Sequence, residues 1–228
     1  MLVSVHLPKT GGSSLLASIE GAYGSSLLLD NDDRPINTPP LKRKTAAISH
    51  CMKNTSRDFE AVCCIHGHFM PLKYLFLLRS VDVQFVAWLR DPIERLASHY
   101  FYWLKNYDPH TAGALRRRVV EEGWPLERFC LAPELRNFYS QFFWGFPIRC
   151  FDFVGITEYY DADFAYFSHK YLGTELPVKS KNINENKPVG SYFENGELRR
   201  KLESYHSKDI TLYQKACAIR AQTRVAQV

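Results

Sequence analysis

The alternation of apolar and polar positions predicts where elements begin and end. Residues 2–7 form an apolar, strand-like stretch, and after a short turn residues 13–23 carry Leu15, Leu16 and Ile19 on one side, as an amphipathic helix does. Residues 61–65 are a second short strand candidate, followed by His66-Gly67-His68. Residues 83–89 (V-Q-F-V-A-W-L) are a nearly unbroken apolar run, the pattern of a strand covered on both faces. Asp91 and Pro92 then supply an N-cap and a proline at the first helical position, predicting a helix to about residue 105. Further on, residues 125–146 read as helical and rich in aromatics, 151–156 as a short strand and 161–172 as a helix. The tail, 195–221, reads as an exposed helix pair of mixed charge. Residues 30–40 and 179–188 are polar loops. Strands alternating with helices predict a three-layer α/β fold with a central, mainly parallel sheet flanked by helices.

Composition narrows the class only modestly. With 46% hydrophobic and 23% charged residues the chain has a globular balance, which argues against disorder. At 228 residues it suits one domain spanning 1–228 better than two. A formal net charge of +5 favours an anionic ligand, though weakly. The six cysteines show no C-x-x-C pair or metal spacing and suit a reducing compartment. With no secretory leader and no apolar run of membrane-spanning length, a cytoplasmic enzyme without a membrane span is the simplest reading.

The sharpest chemical feature is the turn Pro8-Lys9-Thr10-Gly11-Gly12-Ser13-Ser14 between a strand and a helix. Glycines let backbone N–H groups converge, the helix N-terminus adds its dipole, and Lys9 with the hydroxyls adds further donors: an anion cradle. The plainer alternative is an ordinary strand–helix turn with solvated Lys9 and Ser13. The lysine precedes the glycines, so this is not the G-x-x-x-x-G-K-[ST] pattern of nucleotide triphosphatases. A second constellation is V-A-W-L-R-D-P-I-E-R-L-A-S, which sets Arg90 at a strand's carboxyl end and Ser98 two turns up the next helix. Guanidinium and hydroxyl together suit a phosphate; alone, Arg90 reads as a surface or ion-paired residue. A third is His66-Gly67-His68, expected just beyond its strand at the sheet edge, where an imidazole suits proton transfer. It also fits a metal pair, for which no third ligand is evident, or two structural histidines. Arg116-Arg117-Arg118 reads as a solvated helix face or a lure for an anionic glycan, and the aromatic segment 138–144 as core more than as a sugar-stacking wall.

The phrases H-L-P-K-T-G-G-S-S-L and V-x-x-L-R-D-P-x-x-R-x-x-S resemble the 5′-phosphosulfate loop and the 3′-phosphate site of PAPS-dependent sulfotransferases. The resemblance is to the carbohydrate branch with the heparan, chondroitin and uronyl 2-O enzymes, and to a compact bacterial-type member without anchor or stem. It implies a P-loop-like fold and PAPS (3′-phosphoadenosine-5′-phosphosulfate) as donor, held by Lys9, Thr10, Gly11, Gly12, Ser13, Ser14, Arg90 and Ser98. It also implies Lys9 at the leaving oxygen and His68 as the base with His66 assisting; Glu20 and Glu94 are the fallback bases, and His99 is a pocket-lining candidate. Residues 154–161 resemble the family's G-I-T-E segment, and 182–188 its late basic loop. The helix N-x-Q-T-R-x-x-x-G is matched at Asn137 and Gly145, but Tyr139 and Gln141 replace its glutamine and arginine.

The expected function is therefore O-sulfotransfer to a hydroxyl of a carbohydrate, glycolipid or small-molecule acceptor, without metal and without a nucleic-acid partner. A nucleotide kinase or NTPase of the same superfold needs a Walker lysine and a strand-end carboxylate, and neither stands in a convincing place. A non-catalytic nucleotide- or glycan-binding relative is the third possibility, against which Lys9, Arg90, Ser98 and His68 all speak.

Overall fold

The computed structural model describes residues 1–33, 36, 38–80, 82–174, 192–193 and 196–225. In chain order the strands and helices are β1 (Leu2–Val5), α1 (Gly12–Tyr23), β2 (Leu27–Leu29), α2 (Pro40–Asn54), β3 (Cys64–Gly67), β4 (Gln84–Leu89) and α3 (Pro92–Lys105). There follow α4 (Ala114–Glu121), α5 (Leu126–Cys130), α6 (Phe138–Phe142), β5 (Phe153–Ile156), α7 (Tyr160–Leu172), α8 (Gly196–Tyr205) and α9 (Ser207–Val225). The strands form one sheet in the order β2-β3-β1-β4-β5, every neighbouring pair parallel.

Strand alternation decides what each face buries. Phe85, Ala87 and Leu89 of β4 join Val3 and Val5 on one face, under Phe138, Phe142 and Phe146 and Ala216 of α9. Val86 and Trp88 face the other way, onto Leu15 and Ile19 of α1 and Phe164 and Phe167 of α7. Two helical layers therefore sandwich a sheet buried on both sides, the α/β architecture the pattern predicts. The chain leaves β1 through α1 towards β2 and β3, then crosses to β4 on the opposite side of β1. That reversal puts a crevice at the carboxyl ends of β1, β3 and β4, where open α/β sheets bind ligands.

Several expectations need correction. The H-G-H segment does not follow its strand. His66 and Gly67 lie within β3, in register with Ser4 and Val5, so pairing with β1 carries the ladder beyond the apolar run. Residues 125–146 are not one helix: α5 and α6 are one-turn pieces separated by a 3-10 turn at Pro133–Leu135 and by Asn137 at φ 51°. Nor is the tail an exposed pair. Leu202, His206, Asp209 and Ala216 are buried, and Ala216 packs in the main core. The pattern along the chain predicts neither β2 nor α2. Residues 179–188, including the expected late basic loop, lie outside the described residues. No helix among the described residues is long and apolar enough to cross a membrane.

Candidate functional site

Three chain segments meet at the crevice, and each is shaped by its own sequence. After β1 the backbone turns sharply, with Lys9 at φ 71° and Gly11 at φ 91°, and α1 starts at Gly12. Thr10 is buried, its hydroxyl donating to the Leu7 carbonyl at 2.8 Å, so it stiffens the turn from inside. Ser13 and Ser14 stand in the first turn of α1, and the Tyr160 hydroxyl is hydrogen-bonded to Ser14 and to the Gly11 carbonyl. The loop thus presents a helix N-terminus with no acidic side chain in its first turn.

Arg90 follows β4 directly. Tyr139 pins its backbone: the phenol donates to the Arg90 carbonyl at 2.8 Å and accepts from the Arg90 N–H at 3.1 Å. Next, Asp91 caps α3 by accepting from the N–H groups of Ile93 and Glu94 at 2.9 and 3.0 Å, as the sequence predicts. The hydroxyl of Thr157 lies 3.2 Å from the Thr10 carbonyl and 2.9 Å from that of Leu89, tying the turn after β1 to the end of β4. Glu158 accepts from the Asp91 N–H at 2.9 Å and from the Tyr213 hydroxyl at 3.0 Å, which anchors α9 to the same corner. The G-I-T-E segment is therefore a clamp.

Lys9 and Arg90, far apart in sequence, are electrostatic neighbours. Burial, then the Arg90 guanidinium, push the Lys9 ammonium below its ordinary pKa. The Lys9 Nζ rests 4.1 Å from the centroid of the Tyr102 ring. Ser98 is one turn before Tyr102 on α3 and half-buried, so it shares the helix face that meets Lys9. Among the described residues neither Lys9 nor Arg90 forms an ion pair. Behind them Arg95 is buried against the rings of Phe138 and Tyr139, 4.4 and 5.6 Å from their centroids.

The histidines form a column. His6 stacks on His68 with ring centroids 4.6 Å apart and planes at 25°, and on His66 at 5.5 Å and 21°. His66 is buried with Nδ1 2.9 Å from the Ser4 hydroxyl, and burial, then neighbouring His68, bring its pKa down to about 4. His68 is half-buried, and its Nδ1 lies 2.7 Å from the His6 carbonyl oxygen. A carbonyl only accepts, so His68 carries its proton on Nδ1, and in the neutral ring the lone pair is at Nε2. His99 is buried on α3 with its pKa held well below the ordinary value, by burial first and then by Arg95. Among the described residues no group of three His, Cys, Asp or Glu side chains is arranged to hold a metal.

Other candidates fall away from the crevice. Glu20 is exposed eight residues up α1, about 12 Å from its start. Glu94 accepts from the Tyr192 N–H at 3.2 Å and pairs with Arg199 at 3.7 Å, binding α8 to α3. Arg116 donates to the Trp103 carbonyl, and Arg118 pairs with Glu122 and Glu134. Gln141 accepts from Arg43 at 2.7 Å and donates to the Arg136 carbonyl at 2.7 Å, and Tyr139 holds Arg90, so both substituted positions of α6 have work of their own. Sequence reading missed His6, Tyr102, Thr157 and Tyr139 as parts of the site. His6 left a signal, being polar with Ser4 at alternate positions of an otherwise apolar strand, and Thr157 lies in the segment that resembles G-I-T-E.

No family model and no curated protein matches the chain. Among solved structures it is similar to a sulfotransferase from Alicyclobacillus acidocaldarius, at 13% identity over 92% of each chain with a TM-score of 0.46. A likeness that distant leaves the chemistry to the residues themselves.

Proposed function

We propose that this chain is a PAPS-dependent O-sulfotransferase. The observation that carries the reading is the convergence of Lys9 and Arg90, two cations without an ion-pair partner among the described residues, on a backbone turn at a helix N-terminus. A multiply charged anion relieves the pressure that the Arg90 guanidinium puts on the Lys9 ammonium, and the turn offers N–H groups to the same guest. The 5′-phosphosulfate fits the turn of Lys9 to Ser14, and the 3′-phosphate fits Arg90 and Ser98. The residues that resemble the two sulfotransferase phosphate sites are thus gathered at one sheet edge.

In the reaction the acceptor oxygen forms a bond to sulfur while the bond from sulfur to the bridging oxygen of the donor breaks. Lys9 neutralises the charge that gathers on that leaving oxygen, and Nε2 of His68 takes the acceptor's proton. The His6 carbonyl, bonded to Nδ1–H, stabilises the imidazolium so formed. His66, buried and neutral, acts through its packing and does not touch the acceptor. Acceptors of this reading are hydroxyl compounds, including glycans.

Calorimetry with 3′,5′-adenosine bisphosphate, 5′-AMP and the Arg90→Ala variant tests the donor site. A charge-assisted hydrogen bond contributes about 1.5–3 kcal/mol, so both 5′-AMP and the variant should bind at least tenfold more weakly. Equal affinity for 5′-AMP, or no binding of the bisphosphate at all, overturns the assignment and favours a triphosphate-using or binding-only protein.

A further inference from the structure

The His6 ring has no part in the function as argued so far, yet it touches both halves of the site. Its Nε2 is sealed from solvent and has no hydrogen-bond partner among the described residues. The ring occupies the hollow left by the missing side chain of Gly12: a Cβ there would come within 1.7 Å of Nε2 and 1.8 Å of Cε1. On the same ring His68 is stacked, and the carbonyl of the same residue accepts from His68 Nδ1. The His6 N–H is itself fixed, donating to the Gly67 carbonyl at 2.8 Å. The groups facing this pair are His66 on β3, Lys9 on the loop and His99 on α3.

We infer that His6 is a positioning residue for His68, locking it as the Nδ1–H tautomer through a stacked ring and a backbone carbonyl, with the hollow under Gly12 holding that ring in place. A stacked ring prevents His68 from turning about its own side-chain bonds, and the carbonyl then sees Nδ1 alone. Because the brace is seated under the first helical residue of the anion loop, the loop and the base keep one spacing. The inference rests on the reading of His68 as the base, but the tautomer it predicts is measurable without any substrate.

The test uses the full chain with His6→Leu and His6→Phe. Nitrogen-15 spectra of the imidazoles should show His68 as the pure Nδ1–H tautomer in the parent and in His6→Phe, which keeps a flat ring to stack on. In His6→Leu a second tautomer should appear. Bisphosphate affinity should stay within about threefold in both variants, while turnover of His6→Leu falls at least tenfold and the acid limb of its pH–rate profile moves. His6→Phe should recover most of the turnover. A folded His6→Leu protein whose His68 keeps one tautomer and an unmoved profile overturns the inference. Failure of the parent to bind the bisphosphate overturns the donor reading instead, and leaves the tautomer result standing on its own.

Discussion

Replacing Gly67 by alanine is the most direct probe of how the H-G-H segment is built. Gly67 sits at φ 147°, a backbone region that residues with a side chain rarely adopt. Placing a non-glycine residue there costs about 1–3 kcal/mol. The new Cβ would also lie 2.0 Å from the Asp30 carbonyl oxygen and 2.7 Å from its carbon. That backbone has little room to yield. The Asp30 N–H donates to the His66 carbonyl at 3.0 Å, and its carboxylate is held by Lys73 at 3.2 Å and by the Tyr74 hydroxyl at 3.0 Å. Overpacking against such a wall adds about 1–3 kcal/mol. A loss of about 4 kcal/mol is a large share of a typical 5–15 kcal/mol. In a chain of this length it should lower Tm by about 8–16 °C. Gly123, at φ 60° with open space around its Cα, is the control: Gly123→Ala meets only the left-handed backbone penalty of about 1–2 kcal/mol. Thermal unfolding followed by circular dichroism compares the two. A Gly67→Ala loss no larger than that of Gly123→Ala refutes the claim that the Asp30 backbone walls in this position.

Tyr139→Phe removes the phenol that bridges both backbone groups of Arg90, and should cost about 2–4 kcal/mol in denaturant unfolding, with a weaker bisphosphate affinity read by calorimetry. Stability should also fall with acid. The pKa values of His66 and His206 are lowered to about 4, in both cases chiefly by burial, so the folded chain keeps both neutral while the unfolded chain protonates them near 6.5. Their contribution is complete above pH 6.5 and is lost as the pH falls towards 4, about 3 kcal/mol for each. Urea midpoints at pH 7.5 and 5 measure the loss, and the slope should be shallower in His206→Gln, which lacks one of the two groups; an unchanged midpoint contradicts the assignment.

Much of this protein was legible along the chain because its cause is local. The start of α3 is written in Asp91 and Pro92, since capping needs only the next three residues. Likewise β1 and β4 announce themselves as apolar runs, and Gly11 and Gly12 mark the turn between β1 and α1. Short elements left no periodic signal: β2 is three residues long and takes its identity from its neighbour β3. The same holds for His66 and Gly67, which are strand residues only because β1 offers them partners. α9 looks polar in sequence, yet Asp209 is buried, accepting from the N–H groups of Tyr139 and Ser140 at 2.9 Å each. No window of sequence contains both ends of such a bond. The site divides in the same way. Which donors and cations are available is written in the residues: Lys9, Thr10 to Ser14, Arg90, Ser98 and the histidine pair. The fold alone sets Lys9 against Arg90 across a shared crevice, brings Tyr139 onto the Arg90 backbone, and puts His6 in the space a side chain at Gly12 would need. Each depends on the distance between segments that only the parallel sheet brings together.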